Sequence, residues 1–141
     1  MNDMNLNGPL LYSIFLWLFV SVTSCSHRTS QNQENNVFTA QVTFNDSIHD
    51  FGTFSSDNPT QKYIFFFMNR SNVPAVILNV TPSCRCISTE YTREVVLPGK
   101  SGKVEVTFDG TKSAVGYFDK SVQIRMNSPH TYTLNIKGHM E

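Results

Sequence analysis

The sequence lacks an excess of charge of either sign, because its 141 residues contain 11 Lys and Arg against 11 Asp and Glu. This balance excludes the strong basic field by which proteins bind nucleic acid, so we expect no nucleic-acid partner. Charged residues make up only 16% of the chain, which is too few for a disordered charged tail. Cysteine is rare and occurs only three times. The chain is 40% hydrophobic and 12% aromatic, which is enough for one globular domain with a core.

An apolar run near the N-terminus is too short for a membrane span. Residues 10–22 read LLYSIFLWLFVSV without a charge, whereas a spanning helix needs about 20 apolar residues. The run ends in VTSC, which resembles the lipobox of bacterial lipoproteins. We therefore predict a lipoprotein signal peptide over residues 1–24 and acylation of Cys25, with palmitate among the chains. Residues 1–9 contain no Lys or Arg, so an ordinary signal peptide with a chance cysteine is the alternative.

A lipid on Cys25 makes the membrane a partner and places the protein in the cell envelope. Ser26 resembles the sorting preference for the outer membrane, so we expect an anchored protein that faces the periplasm. Residues 26–36 have no apolar side chain and cannot offset the entropy of ordering by burial. We predict a lipidated cysteine and flexible tether over residues 25–36, followed by a folded domain over residues 37–141.

The domain is predicted to consist of strands. Apolar residues alternate with polar ones in four segments, which places them on one face of each strand. Clusters of turn-forming residues separate the segments, and no stretch keeps the 3.6-residue period of a helix. The pattern predicts an all-β fold, an antiparallel β-sandwich of about seven strands. The alternating apolar residues are Phe38, Ala40, Val42 and Phe44; Val104, Val106 and Phe108; Val122, Ile124 and Met126; and Tyr132, Leu134 and Ile136.

One predicted strand is apolar on both faces. Residues 63–68 read YIFFFM, and Ile64, Phe66 and Met68 lie on the face opposite to the other three side chains. Either a loop or the domain's own N-terminal segment covers this second face, or the face is an exposed patch for a protein partner. Ile64, Phe66 and Met68 are therefore candidate contacts for an unknown envelope protein.

Five short motifs follow one another between residues 44 and 138: IHDFGT at 48–53, FFMNRS at 66–71, SCRC at 83–86, LPGKSGK at 97–103 and FDKSV at 118–122. Their combination resembles the bacterial domain-of-unknown-function family 1573, DUF1573. The resemblance implies a small immunoglobulin-like domain, commonly exported and often lipid-anchored, and it brings no catalytic activity. The chain departs from the family pattern at Arg85, where Gly is usual, and at Ile87, where Thr is usual. Arg85 makes a tight turn between the cysteines harder and places a cation beside two thiols.

The spacing of Cys84 and Cys86 leaves three interpretations open. On an extended strand their Cα atoms would lie about 6.6 Å apart, near the upper limit for a disulfide, so a bridge would be strained and easily reduced. The pair is then either structural or a redox site in an oxidising compartment, where Arg85 favours the thiolate. Two thiolates on one face also suit Cu(I), and we predict no cofactor unless the pair binds this ion.

Three other motifs contain residue types that can take part in chemistry. Asp46-Ser47-Ile48 is similar to a short O-glycosylation acceptor of some Gram-negative bacteria, which makes Ser47 a candidate modification site. The GKS at 99–101 lacks the earlier glycine of a phosphate-binding loop and is predicted to form a turn. His49 and Asp50 are adjacent on a predicted strand and point to opposite faces, so they do not form a base with its orienting carboxylate.

Two classes of function remain. The first is a non-enzymatic, lipid-anchored interaction domain of the envelope, which binds protein through a sheet edge or the region around Phe66. The second is a thiol site at Cys84 and Cys86 that handles copper or electrons. No nucleophile lies at a recognisable spacing from a base, so we expect no enzyme and no small-molecule substrate.

Overall fold

The structure is a computed structural model that describes residues 39–141, within the compact unit Asn36–Glu141. The predicted signal peptide, Cys25, the tether and Phe38 lie outside the described residues, and what was expected of them stays a prediction. No helix within the described range is long and apolar enough to cross a membrane.

Eight strands and one short helical turn make up the described chain: β1 (Val42–Phe44), β2 (Ile48–Phe54), β3 (Thr60–Asn69), β4 (Ile77–Pro82), β5 (Ile87–Tyr91), β6 (Ser101–Asp109), the 3₁₀ turn Gly110–Lys112, β7 (Gly116–Met126) and β8 (Thr131–Met140). The strands form two four-stranded sheets. Sheet 1 has the order β1-β3-β6-β5, and sheet 2 has the order β2-β8-β7-β4. Residues of both sheets share one buried core.

The predicted all-β sandwich is confirmed, with eight strands where about seven were expected. One pair departs from the antiparallel expectation, because β2 runs parallel to β8, with Ile48 beside Asn135 and Phe54 beside Met140. This pairing arises because the chain leaves β1 at the edge of sheet 1 and crosses through residues 45–47 to the edge of sheet 2. Alternation within a strand does not encode which neighbour the strand joins.

The core is built from the residues that alternate along the strands, since each strand sends every second side chain inward. The predicted inward residues of β6 and β7 are all buried, and so are Leu134 and Ile136 of β8. Phe44 and Tyr132 pack at the margin and are only half-buried. Full burial of such an apolar side chain is worth about 1.5–3 kcal/mol. The largest fully buried apolar side chains are Phe65, Phe67, Phe108, Ile124, Met126, Leu134, Ile136, Val104, Val106 and Val122.

Aromatic rings join the two sheets at one end of the core. Phe108 of β6 stacks on Phe118 of β7 with ring centroids 4.0 Å apart. Phe54 of β2 meets both rings edge-on, at centroid distances of 6.2 Å to Phe108 and 6.0 Å to Phe118. Each such pair adds about 0.5–1.5 kcal/mol beyond the area that it buries. The cluster therefore fixes β2, β6 and β7 relative to one another.

A second ring stack closes the side of the sandwich between β2 and β3. His49 stacks on Tyr63 with ring centroids 3.5 Å apart and meets Phe51 edge-on at 4.7 Å. Burial lowers the pKa of His49 from its ordinary value, against the opposing effect of Asp50 and Asp46. His49 is half-buried against the other sheet and Asp50 is exposed, which confirms that the two point to opposite faces.

Candidate functional site

The outward face of β3 carries the three residues named as candidate partner contacts. Ile64, Phe66 and Met68 alternate with the buried Phe65 and Phe67. Phe66 is 48% exposed, whereas Ile64 and Met68 are half-buried. Because β3 lies between β1 and β6, the three side chains run along the middle of sheet 1. We call Ile64, Phe66 and Met68 the β3 row, and their contact with a partner stays a prediction.

Charged residues of β6 border the β3 row. The strand register places Lys103 opposite Phe66 and Glu105 opposite Ile64. The Lys62 Nζ lies 2.6 Å from Glu105 Oε1, and its hydrogen bond lowers the pKa of Glu105 below the ordinary value. The outer face of sheet 1 thus has an apolar strip beside an ordered charged strip. An apolar centre with a polar rim is the usual anatomy of a protein interface.

Cys84 and Cys86 form a disulfide in the turn between β4 and β5. The expectation that they lie on an extended strand is wrong, because the Ile87 N–H donates to the Cys84 carbonyl at 3.3 Å and closes a turn. Their Cα atoms are 5.2 Å apart, within the usual range for a bridge. Arg85 lies exposed inside this turn. The tight turn therefore forms without the glycine that is usual there.

Hydrogen bonds attach the cysteine turn to both sheets. The Ser83 N–H donates to the Ser121 carbonyl of β7 at 2.9 Å, and the Ser121 N–H donates to Ser83 Oγ at 3.1 Å. The Asp109 N–H of β6 donates to the Cys86 carbonyl at 2.8 Å. Cys86 is 4% exposed and Cys84 is half-buried. The bonded sulfurs are not thiolates, so redox or Cu(I) chemistry here requires reduction first, and both stay predictions.

Ser47 lies on the link between β1 and β2 and is exposed. Its carbonyl accepts a hydrogen bond from the Asn135 N–H at 2.8 Å, which fixes the backbone of the link. The neighbouring Asp46 accepts a hydrogen bond from the Tyr63 hydroxyl at 3.3 Å. Solvent thus reaches Ser47 on an anchored segment, and its glycosylation stays a prediction.

Asn69, in the FFMNRS motif, is fully buried at the end of β3. Its Nδ2 donates to the carbonyls of Val73 and Val96 at 2.8 and 2.9 Å. Its Oδ1 accepts from the N–H and the hydroxyl of Ser71 at 3.0 and 2.7 Å. These four bonds use the full capacity of a side-chain amide. Asn69 therefore ties the loop after β3 to the segment before β6.

A turn forms at residues 97–100, so Gly99 and Lys100 of the predicted turn lie in it, whereas Ser101 already begins β6. The Lys100 N–H donates to the Leu97 carbonyl at 3.0 Å, and Gly99 has a φ of 73°, as the third position of a type II turn requires. Gly102 meets a different demand, because a Cβ there would overlap the ring of Phe67. The glycines of this motif thus serve the fold.

An open groove of about 660 Å³ crosses the outward face of sheet 2, where the sequence had indicated no site. Lys137 Nζ lies 3.6 Å from Asp50 Oδ2, while Tyr117 is 88% exposed and stacks on His139 with ring centroids 4.1 Å apart. No three His, Cys, Asp or Glu side chains among residues 39–141 lie close enough to hold a metal ion. Six side chains of the groove form two rows across β2, β8 and β7: Asp50, Lys137 and Asp119, then Thr53, His139 and Tyr117.

A bulge in β2 shapes the groove. Gly52 has a φ of 66°, its N–H donates to Asp50 Oδ1 at 2.9 Å, and the register shifts between Asp50 and Thr53. A side chain at Gly138 would crowd the Gly52 carbonyl, which lies 3.1 Å from the place of a Cβ. Tyr117 could have been placed on the outward face from the sequence. The buried residues of β7 alternate with period two, and the same alternation continued towards the N-terminus points Tyr117 outward.

Solved structures of similar fold share little sequence with the chain. A protein of unknown function from Porphyromonas gingivalis W83 aligns with a TM-score of 0.63 at 18% identity, over 72% of this chain and 47% of that one. The Vibrio cholerae VesB protease aligns with a TM-score of 0.60 at 16% identity, over 70% of this chain and 32% of that one. PapD-like domain 7 of human CEP192 aligns with a TM-score of 0.57 at 12% identity, over 74% of this chain and 87% of that one. These likenesses show the fold alone, and the chain spans less than half the length of the first two.

No curated protein matches the sequence, whereas a family model does. The PapD-like neighbour supports the two-sheet sandwich that the alternating pattern predicted. The predicted family membership is confirmed, because a family model described as "Protein of unknown function (DUF1573)" matches residues 42–140, and the chain therefore belongs to the DUF1573 family.

Proposed function

We propose that this chain is a non-enzymatic interaction domain of the cell envelope, anchored by a lipid on Cys25, that binds an envelope protein through the β3 row. On this proposal the tether at 25–36 holds the folded domain close to the outer membrane, on its periplasmic side. The work of the domain is contact with another protein and not turnover of a substrate.

The exposure of Phe66 is the observation that carries the proposal. β3 already packs Phe65 and Phe67 into the core, so the fold does not need the outward ring. At 48% exposure, Phe66 forgoes part of the roughly 1.5–3 kcal/mol that full burial of its side chain is worth. Ile64 and Met68 extend the apolar strip on either side. A partner that covers the row gains this free energy on binding.

The family motifs support contact rather than catalysis. Asn69 joins two loops, Gly102 makes room for a core ring, and the Cys84–Cys86 bond closes a turn. The asparagine lies near the end of sheet 1 where Met68 pairs with Ser101, while the cysteine turn lies beside Asp109 at the other end. Each of these residues stabilises the fold, and together they do not converge on one site.

A photo-crosslinking amino acid at position 66 of the full chain tests the proposal in intact cells. Leu78, which is 53% exposed on edge strand β4 of sheet 2, is the matched control position. We expect a dominant crosslink to one envelope protein from position 66 and none from position 78. Co-purification of that protein should be lost with Phe66→Ser and kept with Leu78→Ser. Crosslinks only to residues 1–38 of the same chain would show that the N-terminal segment covers the row, which contradicts the proposal.

The lipid anchor is tested separately. Labelled palmitate should enter the wild-type protein and not a Cys25→Ser variant, which should also leave the membrane fraction. Cys84→Ser is the control, since it removes a cysteine without touching the proposed acylation site. Absence of label from the wild-type chain would contradict anchoring and leave the crosslinking result to stand by itself.

Exposed Arg85 between two bridged cysteines favours thiol exchange as a second candidate function. A partner dithiol would reduce the Cys84–Cys86 bond and become a disulfide itself, so that two electrons and two protons pass to this pair. The reduced pair then offers two soft ligands to Cu(I). Thiol counting and copper analysis of the full chain, with the double serine variant as control, test this function. A bridge that mild reductant does not open contradicts both forms of it.

A further inference from the structure

We infer that the groove on sheet 2 binds an arginine side chain of a partner protein, with the guanidinium stacked on Tyr117 and paired with Asp119. The groove lies on the outward face of sheet 2, whereas the β3 row lies on sheet 1. The inference is therefore independent of the proposed function, and neither Cys25 nor Phe66 enters its test.

Tyr117 supplies a ring with one free face. It is 88% exposed, the largest value among the exposed apolar residues of the described chain. One face of the ring lies on His139 at a centroid distance of 4.1 Å and an interplanar angle of 16°, which leaves the other face to solvent. A guanidinium is flat and weakly hydrated, and it stacks on aromatic faces with a cation–π attraction. The stack on His139 thus holds the ring in a position to receive such a group.

Asp119 supplies the charge beside that ring. It stands two residues from Tyr117 on the same face of β7, about 6.4–6.8 Å along the strand. Lys137 lies between Asp119 and Asp50 in the strand register and approaches Asp50 to 3.6 Å. Because two carboxylates face one ammonium, this part of the groove carries a net charge of about −1. The groove is therefore matched to a cation rather than to an anion.

Arginine satisfies the ring and the carboxylate at once. Its five N–H donors form a planar fork that can make two parallel bonds to one carboxylate while its face lies on an aromatic ring. A lysine ammonium can pair with Asp119 but has no flat surface to lay on Tyr117. The groove volume of about 660 Å³ lies within the range of ligand sites, so it also admits the residues that flank the arginine.

NMR titration of the nitrogen-15-labelled full chain in detergent micelles tests the inference. The probe is the peptide acetyl-Gly-Arg-Gly-amide, and the amide signals of Tyr117, Asp119 and His139 should shift as it binds. Citrulline in place of arginine keeps the shape and removes the charge, and it should weaken binding about tenfold. Lysine in place of arginine should weaken it about threefold or more, since the stacking surface is lost.

Four variants locate the site. Tyr117→Ala and Asp119→Asn should each weaken binding of the arginine peptide about five- to tenfold. Val115→Ala changes a 65% exposed residue outside the groove lining and should leave binding unchanged. Lys137→Met removes the internal competitor for the carboxylates, so it should tighten binding about two- to threefold. Unchanged amide signals of the buried Ile124 report that each variant is folded.

Several results would overturn the inference. Equal binding of the arginine and citrulline peptides would show that charge plays no part. Weaker binding in Lys137→Met would contradict the charge count of the groove. Shifts of the same amides by methyl glucoside, with none from the arginine peptide, would identify a saccharide site instead. No shift at the highest soluble peptide concentration would refute the site altogether.

Discussion

Replacing Asn69 with alanine should lower the free energy of unfolding by about 2–4 kcal/mol. The buried side chain makes four hydrogen bonds, each worth a net of about 0.5–1.5 kcal/mol, so the sum lies between about 2 and 6 kcal/mol. Both carbonyls that accept from Asn69 keep another donor after the change: the Ala75 N–H donates to the Val96 carbonyl, and the Ser71 hydroxyl donates to the Val73 carbonyl. Neither carbonyl is left unpaired, which places the expected loss in the lower part of the range.

Urea unfolding of the full chain, followed by far-ultraviolet circular dichroism, measures this loss. Asn79→Ala is the matched control, because Asn79 is exposed on β4 and its Nδ2 donates one bond to Thr81 Oγ1 at 2.8 Å. The control should cost less than about 0.5 kcal/mol. Asn69→Asp separates hydrogen bonding from packing, since it keeps the size of the side chain and turns a donor into an acceptor that faces two carbonyls. At pH 7 it should destabilise the domain at least as much as Asn69→Ala.

Two outcomes would refute the reasoning about Asn69. One is an equal free energy of unfolding for Asn69→Ala and Asn79→Ala, which would mean that the buried network adds nothing over an exposed bond. The other is wild-type stability of Asn69→Asp at neutral pH, which would mean that the two donated bonds do not matter.

Three further perturbations test other parts of the fold. Gly102→Ala should lower the melting temperature, because a Cβ there overlaps the ring of Phe67 and overpacking costs about 1–3 kcal/mol; an unchanged melting temperature would contradict this. Burial lowers the folded-state pKa of His49, so the unfolded state takes up the proton first and stability should fall as pH drops below 6.5 until the folded-state pKa is passed. Urea midpoints on either side of this window should show the loss in wild type and not in His49→Gln, and equal losses in both would rule out His49 as the cause. Reduction of Cys84–Cys86 should lower the free energy of unfolding by no more than about 1.6 kcal/mol, since the closed loop is only three residues long, and a clearly larger drop on adding dithiothreitol would contradict this prediction.

The core could be predicted from the sequence because alternation is a local property of a strand. Val104, Val106 and Phe108 point inward whichever strands lie beside them, since successive side chains alternate between faces. Strand pairing is different, because it depends on where the chain goes between strands. A local pattern therefore could not predict that β8 is the parallel partner of β2, and the bulge at Gly52 further weakens the alternation in β2.

The same difference between local pattern and strand pairing decides which candidate sites could be predicted. The β3 row could be predicted as a set, because residues two apart share a face, but YIFFFM is apolar on both faces and did not show which one is outward. The cysteine pair was predicted from a strand geometry that the chain does not adopt there. The groove joins Asp50, Lys137 and Tyr117 from three strands, and no local spacing connects residues that only the sheet order brings together.

The parallel pairing of β2 with β8 also decides how the domain responds to mechanical tension. Ile48 at the start of β2 lies beside Asn135, and Met140 at the end of β8 lies beside Phe54. A pull between the start of β2 and the end of β8 thus draws the two strands past each other along their axes. All the bonds of that ladder then bear the load together in shear, whereas a pulled hairpin unzips one bond at a time. A domain held at these two points should resist stretching and then yield abruptly.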